Sequence, residues 1–172
     1  MRFEIGDQVV HPVYGVGTVR TVSAQRFGAG QSRQYYEVAM DDITVWAPVD
    51  EQGATVLRKI ASKRMLAECR RLLSSDPVPF DANHKMRQLE ITERLQGGLL
   101  PALCGMVRDL RARSLNAPLP ATEDRVLRRI YKVLCEEWAA SDGVSAQTAL
   151  HEIEDLLQAT RGPRLRRGDL SS

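Results

Sequence analysis

Residues 3–19 constrain the fold of this chain more than any other segment. Their sequence, FEIGDQVVHPVYGVGTV, places short runs of β-branched residues between turn residues. Gly6 precedes the first predicted strand, and Gly15 and Gly17 lie on either side of a valine at the start of the next. Glycines at such positions allow sharp bends and the close approach of strands. The pattern predicts a small, tightly curled barrel.

Further strand signals follow within the first 60 residues. The predicted strands are at Val9–Val10, 16–26, 33–40 and 43–47, with a last short one near Val56. A Gly-rich turn is predicted at 27–32, and Pro48 is expected to end the fourth strand because proline has no N–H for a ladder. Five short strands can bury a core only by curling on themselves.

From Ala61 onward the apolar residues recur with a helical period of about 3.6. The first predicted helix covers 62–73, the second runs from an Asp81 cap to Leu95, and the third covers 100–115. The fourth is capped by Thr122, and a short fifth, capped by Ser145, ends near 159. Residues 161–172 are predicted to be a flexible basic tail. The chain is therefore expected to be α+β, with a barrel at 1–58 and an all-helical domain at 61–160.

Composition excludes several classes of protein. The 43% hydrophobic and 27% charged content is typical of a globular chain. No apolar run approaches the roughly 20 residues that span a bilayer, so no membrane partner is expected. The first residues lack the apolar core of a secretory signal, which predicts a cytoplasmic protein. The sequence carries no indication of oligomeric state.

The formal net charge of +2 hides an uneven distribution. Residues 1–56 balance at −3, residues 57–113 at +6, residues 114–160 at −4, and the tail from Arg161 at +3. An acidic first segment followed by a basic helical one suggests two different partners.

Residues with catalytic or metal-binding potential are not arranged for chemistry. Cys69, Cys104 and Cys135 stand 35 and 31 residues apart, which fits neither a metal knuckle nor a disulfide framework, and each is expected to be a buried apolar residue. The three histidines lack metal-ligand spacing, and there is no nucleotide-binding or nucleophile-elbow motif. We therefore predict a protein that is not an enzyme, with no catalytic residues, cofactor or metal.

Several segments together resemble the CarD/CdnL family of bacterial transcription regulators. The first runs are GDQVVHPVYGVGTV, QYYEV and TVWAPVDEQGATVLRK, and weaker matches are ITERLQGG, VRDLRAR and TEDRVLRRIYKVL. The resemblance implies a Tudor-like barrel that docks on the β-subunit lobe of RNA polymerase. It also implies a helical domain that contacts promoter DNA at the upstream edge of the bubble and stabilises the open complex.

The resemblance assigns roles to particular residues. By position, Arg26 and Trp46 match family residues at the polymerase contact, although some members have arginine where this chain has Trp46. The strand alternation turns Trp46 away from the expected core, so it is either a partner contact or packed between domains. Arg26 is either a contact or a solvated strand end.

The implied DNA contacts lie in the helices. His84 stands where many members have a tryptophan that wedges into the minor groove, and a neutral imidazole wedges less well than an indole. Lys85 and Arg87 beside it can pair with phosphates, and Arg125 and Arg129 belong to a basic row on the fourth helix. Such contacts are mostly independent of DNA sequence.

An alternative is a polymerase-docked adaptor whose helices bind another protein instead of DNA. The missing tryptophan and the −4 balance of residues 114–160 favour it.

Overall fold

The computed structural model describes residues 2–26, 32–96 and 98–159. Residues 27–31 of the predicted turn, and the predicted basic tail with Arg164, Arg166 and Arg167, lie outside the described residues. The strands are β1 (Gln8–His11), β2 (Gly15–Gln25), β3 (Arg33–Ala39), β4 (Thr44–Val49) and β5 (Arg58–Lys59). The helices are α1 (Lys63–Leu73), α2 (His84–Leu95), α3 (Leu100–Asn116), α4 (Ala121–Asp142) and α5 (Ala146–Ala159).

The five strands form one antiparallel sheet in the order β4-β3-β2-β1-β5. Alternate residues from neighbouring strands point into one core, which also receives Phe3 and Leu57 from outside the strands. The remaining core residues are Val9, Val19, Tyr36, Val38, Ala47 and Val49. This sheet followed by five helices confirms the α+β class and the Tudor-like character of the first unit.

The turn between β1 and β2 is closed by a histidine. His11 Nδ1 accepts hydrogen bonds from the backbone N–H groups of Val13, at 3.1 Å, and Tyr14, at 3.4 Å. Gly15, the next residue, has a φ of +87°, which only glycine adopts without strain. These hydrogen bonds therefore give His11 a structural role in the hairpin.

The prediction that Pro48 ends the fourth strand is wrong. Strand β4 continues through Pro48 to Val49, and Pro48 pairs in register with Tyr35. This strand lies at the edge of the sheet with β3 as its neighbour. An edge strand tolerates proline because one side of its backbone needs no ladder hydrogen bonds.

Of the three helix caps predicted from the sequence, the structure shows one, Ser145. Ser62 caps α1 by accepting from Met65 N, and Ser145 Oγ accepts from Thr148 N at the start of α5. The prediction of Asp81 as the cap of α2 is wrong, because Asn83 accepts from the N–H groups of its first turn. The prediction of Thr122 is also wrong, since α4 begins at Ala121 after Pro120.

The helices enclose a second, larger core. Its fully buried members include Leu66, Leu110, Leu134, Trp138 and Ile153, one or more from each of α1, α3, α4 and α5. Cys69, Cys104 and Cys135 are buried free thiols, as predicted. No helix in the described part of the chain is long and apolar enough to cross a membrane.

Candidate functional site

The sheet has a face opposite its core, which we call the outer sheet face. It consists of Thr21, Ser23, Tyr35, Glu37, Trp46 and Pro48. Ala47 and Val49 of β4 are buried in the core, so the alternating Trp46 and Pro48 point the other way. Trp46 lies directly across from Glu37 of β3 and is half-buried. The predicted orientation of Trp46 is thus the one observed.

Tyr35 is a residue of this face that the sequence analysis did not single out. It pairs with Pro48, which makes it a diagonal neighbour of Trp46 at roughly 7–8 Å between backbones. Tyr36 points into the core, where its hydroxyl accepts a hydrogen bond from Phe3 N at 3.1 Å. The YY pair in the sequence shows that one ring faces outward, but only the register shows that this ring adjoins Trp46.

Arg26 lies at one end of the same sheet. It is exposed and directly follows β2. Trp46 shares a row with Thr21, five residues earlier in β2, so the two residues are about 16 Å apart along the strand direction. Any partner that contacts both must cover most of the sheet.

Arg87 is a buried structural residue. It is 5% exposed, its Nε bonds Glu123 Oε1 at 2.7 Å, and its Nη1 donates to the carbonyls of Asp81 and Ala82. Arg113 bonds the other carboxylate oxygen of Glu123 at 3.0 Å. The expectation that Arg87 pairs with phosphates is therefore corrected, because its guanidinium is already used to join α2 to α4.

The carboxylate of Glu123 is held ionised by these two arginines. Burial raises the pKa of Glu123, but hydrogen bonds from Arg87 and Arg113 and the attraction of their charges outweigh this and leave it below its usual value. These charges are paired with each other inside the fold, so Arg87 and Arg113 do not supply free positive charge to a partner.

The first turn of α2 does present exposed side chains. His84 and Lys85 are exposed, and neither has a side-chain hydrogen bond or ion pair within the described residues. Met86 and Leu89 follow on the same helix and are each 52% exposed. This turn therefore combines a positive charge with apolar bulk, of which only the charge was predicted.

The predicted basic row on α4 is exposed as expected. Its members are Arg125, Arg128, Arg129 and Lys132. Arg128 pairs with Asp124 at 2.8 Å and Lys132 with Glu136 at 3.5 Å. Within the described chain, the side chains of Arg125 and Arg129 have no hydrogen bond or ion pair, and they lie one turn apart.

The structure does not bring the two predicted DNA-binding groups into one cluster. Glu123 faces α2, whereas Arg125 comes two residues later and lies about 200° around α4. Further along, Arg129 and Lys132 line a cavity of about 210 Å³ between α4 and the turns of the sheet. The first turn of α2 and the basic row are separate patches on different sides of α4.

Most of the charge asymmetry seen in the sequence is cancelled within the fold. Acidic residues of α4 and α5 pair with basic residues from earlier in the chain, as in Arg70–Glu152 at 2.6 Å and Arg111–Glu154 at 3.0 Å. Arg108 on α3 is likewise buried against Asp109 and Ser75. Basic residues of 57–113, the segment with a balance of +6, thus pair with acidic residues of 114–160, the segment with a balance of −4.

No group of three or more residues in the described part of the chain is arranged to hold a metal ion. The candidate functional regions are thus surfaces: the outer sheet face, the first turn of α2 and the basic row of α4.

Two family models together match most of the sequence. The CarD-like/TRCF RID domain matches residues 3–61, and the C-terminal domain of CarD matches residues 68–154. The chain belongs to the CarD family. The chain is also similar to the "Putative transcription factor YdeB" of Bacillus subtilis (strain 168), which is 24% identical over 149 residues, covering 83% of this chain and 94% of that protein.

Membership confirms the resemblance and sets the general role of the chain. The CarD family consists of transcription regulators that interact with RNA polymerase. The function of the family is that of a transcription factor and not that of an enzyme. The first match covers all five strands, and the second covers most of the helical domain.

Proposed function

We propose that this protein stabilises the open promoter complex by holding RNA polymerase and promoter DNA at the same time. The outer sheet face with Trp46 and Arg26 docks on the β-subunit lobe. The helical domain lies on DNA at the upstream edge of the bubble. The observation that carries the proposal is the pair of exposed guanidiniums of Arg125 and Arg129, which have no partner among the described residues, in a domain where many other arginines are bound to carboxylates.

The polymerase half rests on the composition of the outer sheet face. Trp46 and Tyr35 are neighbouring aromatic rings on a sheet surface that the core does not use. Tryptophan, tyrosine and arginine are the residues most enriched among strong contributors to protein interfaces. A face with two such rings and Arg26 at its end suits a protein partner better than DNA.

The DNA half rests on free positive charge. Arg125 and Arg129 can pair with phosphates without breaking an internal bond, and so can Lys85 in the first turn of α2. Contacts of this kind position a protein on a duplex and read little sequence. Arg87, which is buried, takes no part.

The mechanism is preferential binding of one state. Polymerase contacts and forked-DNA contacts exist together only when the promoter is open, so the open complex gains more binding free energy than the closed complex. The protein then lengthens the lifetime of the open state without any covalent chemistry.

The decisive experiment measures the half-life of open complexes after a competitor is added. The full chain is expected to lengthen it, and Trp46→Ala should remove most of this effect by weakening binding to polymerase. The double variant Arg125→Gln/Arg129→Gln should bind polymerase normally but lengthen the half-life less. A wild-type chain that leaves the half-life unchanged would refute the proposal.

The phosphate contacts have a separate signature in salt dependence. Each phosphate contact adds about 0.9 to the slope of log affinity against log salt. The double variant should therefore lower the slope, measured on polymerase with forked DNA, by about 2. Arg128→Gln is the matched control, because Arg128 is already paired with Asp124 and should change the slope by much less.

The position of the missing tryptophan can be tested directly. His84→Trp should lengthen the open-complex half-life beyond that of the parent, because an indole has more apolar bulk to insert at the fork. No gain from this substitution would show that residue 84 does not touch the fork.

The adaptor alternative has lost one of its two supports. The negative balance of residues 114–160 suggested a surface for another protein, but Glu123, Glu137 and Asp142 are occupied by basic side chains of the same chain. We therefore propose DNA as the partner of the helices.

A further inference from the structure

The sheet and the helical domain meet at a junction built around one arginine. Arg58 belongs to β5, which pairs with β1 at the edge of the sheet away from β4. Its Nη2 donates to Glu137 Oε2 of α4 at 2.7 Å, and its Nε donates to the carbonyl of Gly98 at 3.1 Å. One side chain of the sheet thus holds two separate parts of the helical domain.

The partner of Arg58 is fully enclosed. Glu137 is 0% exposed, while the side chain of Arg58 is 20% exposed. The second carboxylate oxygen of Glu137 accepts a hydrogen bond from Ala61 N at 3.0 Å, in the connection between β5 and α1. A buried carboxylate with this many partners has a fixed position, because each lost partner leaves an unsatisfied charge.

The connection between the domains is held at a second point one turn further along α4. Ser141 Oγ donates to the carbonyl of Ala61 at 2.7 Å, so α4 binds both backbone groups of this residue. On the other side of the junction, Gly98 lies against Pro12 of the β1–β2 turn. Gly15 faces Glu136, whose carboxylate would have to move to admit a Cβ atom at this position.

We propose that Arg58 and Glu137 are positioning residues that fix the angle between the sheet and the helical domain, and that this fixed angle couples polymerase binding to DNA binding. The inference rests on the proposed function. Domains joined by a short connection move relative to each other unless the interface between them prevents it. Here the buried ion pair and the two hydrogen bonds from α4 to the backbone of Ala61 supply that restraint.

The expected benefit is entropic. A chain docked on polymerase presents its DNA-binding surface at a high effective concentration only if the link between the two surfaces matches the distance that it must span. A rigid junction also avoids the loss of domain motion on binding. Weakening it should therefore reduce the effect on the open complex while leaving each separate contact intact.

The test uses the double variant Arg58→Gln/Glu137→Gln in the full chain. The two amides can still hydrogen-bond each other, so no unpaired charge remains buried, but the junction loses its ion pair. Arg70→Gln is the matched control, because Arg70 also binds two carboxylates, Asp142 and Glu152, but entirely within the helical domain. Circular dichroism establishes that both variants remain folded.

The first readout is the distance between spin labels on Glu51→Cys in the sheet domain and Gln147→Cys in α5, both exposed sites. The native cysteines are buried, so the labels attach at the new sites. The parent and Arg70→Gln should give one narrow distance distribution, and the double variant a broad one. An equally narrow and unshifted distribution in the double variant would overturn the proposal.

The second readout is function. The double variant should bind polymerase within twofold of the parent, because β5 lies about 19 Å across the sheet from β4 and Trp46. Its lengthening of the open-complex half-life should fall at least threefold, and that of Arg70→Gln should not. If the parent lengthens the half-life and the double variant does so equally, this inference fails alone. If the parent has no effect, the proposed function fails and this inference fails with it.

Discussion

The two halves of the molecule are stabilised in different ways. The sheet is organised around a small core of valines and aromatic rings, with Val9, Val19 and Val38 fully buried. The helical domain has a larger apolar core and, in addition, ion pairs with one or both partners buried, such as Arg87–Glu123 and Arg94–Asp109. In the helical domain, many charged residues therefore stabilise the fold and are not available to a partner.

This difference changes how the basic residues are interpreted. A count along the sequence treats every arginine as available to a partner. Within the described residues, the arginines of α2 and α3 and Arg70 of α1 are bound to carboxylates, whereas Arg64 and Arg71 of α1 and Arg125 and Arg129 of α4 have no ion pair. The free arginines, and not the total, define the surface that DNA can use.

The strongest test of the comparison removes a buried carboxylate from the helical domain. Glu123→Ala leaves Arg87 buried without its partner and should lower the free energy of unfolding by about 3–5 kcal/mol. The measurement is urea unfolding followed by the fluorescence of Trp138, in a Trp46→Phe background.

The matched control for this prediction is the next residue. Asp124→Ala removes a carboxylate from the same helix turn, but its pair with Arg128 is on the surface. The loss should be below about 1 kcal/mol. Similar losses for the two variants would show that burial does not distinguish these ion pairs.

A smaller effect is expected from overpacking the sheet. A Cβ atom on Gly17 would lie 2.5 Å from Met40 Sδ and 2.8 Å from Ala39 O, so the strands must move apart. Gly17→Ala should destabilise the sheet by about 1–3 kcal/mol. With 5-fluorotryptophan in both tryptophan positions, the fluorine resonance of Trp46 should report the loss.

The helical domain supplies the control within the same sample. Trp138 is buried between α4 and α5, far from the β2–β3 contact. Its resonance should show an unfolding midpoint close to that of the parent. Equal shifts of both resonances would contradict this prediction.

The smallest predicted effect is a difference in acid sensitivity. A hydrogen bond from Arg70 lowers the pKa of Glu152, one from Lys63 lowers the pKa of Asp142, and the pKa of Glu123 is lowered as well. A carboxyl whose pKa is lower in the folded state stabilises the fold above its ordinary pKa, and the contribution is lost as the pH falls. The free energy of unfolding of the helical domain should therefore decline from about pH 5 to pH 3.

The same two fluorine resonances measure this decline. Trp138 donates its indole N–H to Glu152, so it reports directly on one of the carboxylates involved. The Trp46 resonance should report a smaller loss over the same pH range. A larger loss at Trp46 would reverse the comparison.

The sequence predicted the elements of this fold well because their signals are local. Alternation located β1 to β4, and the apolar period located the helices within a few residues. The errors concern the ends of strands and the caps of helices. The prediction that Pro48 ends a strand fails because its edge position depends on strand order, and the prediction of Asp81 as a cap fails because Asn83, two residues later, caps equally well.

The candidate site was predictable in part. The outward orientation of Trp46 and the exposure of Lys85, Arg125 and Arg129 follow from the periodicity of their own elements. The burial of Arg87 does not, since its partner Glu123 is 36 residues away. The Arg58–Glu137 junction spans 79 residues, and no pattern in the sequence joins two such positions.

The hairpin at the start of the chain has a consequence for the protonation chemistry of His11. Because Nδ1 accepts two amide protons, the ring hydrogen must sit on Nε2, and the neutral tautomer is fixed. Burial lowers the pKa of this imidazole, so it stays uncharged through the neutral range. The nitrogen chemical shifts of the His11 ring would then report whether the turn is intact.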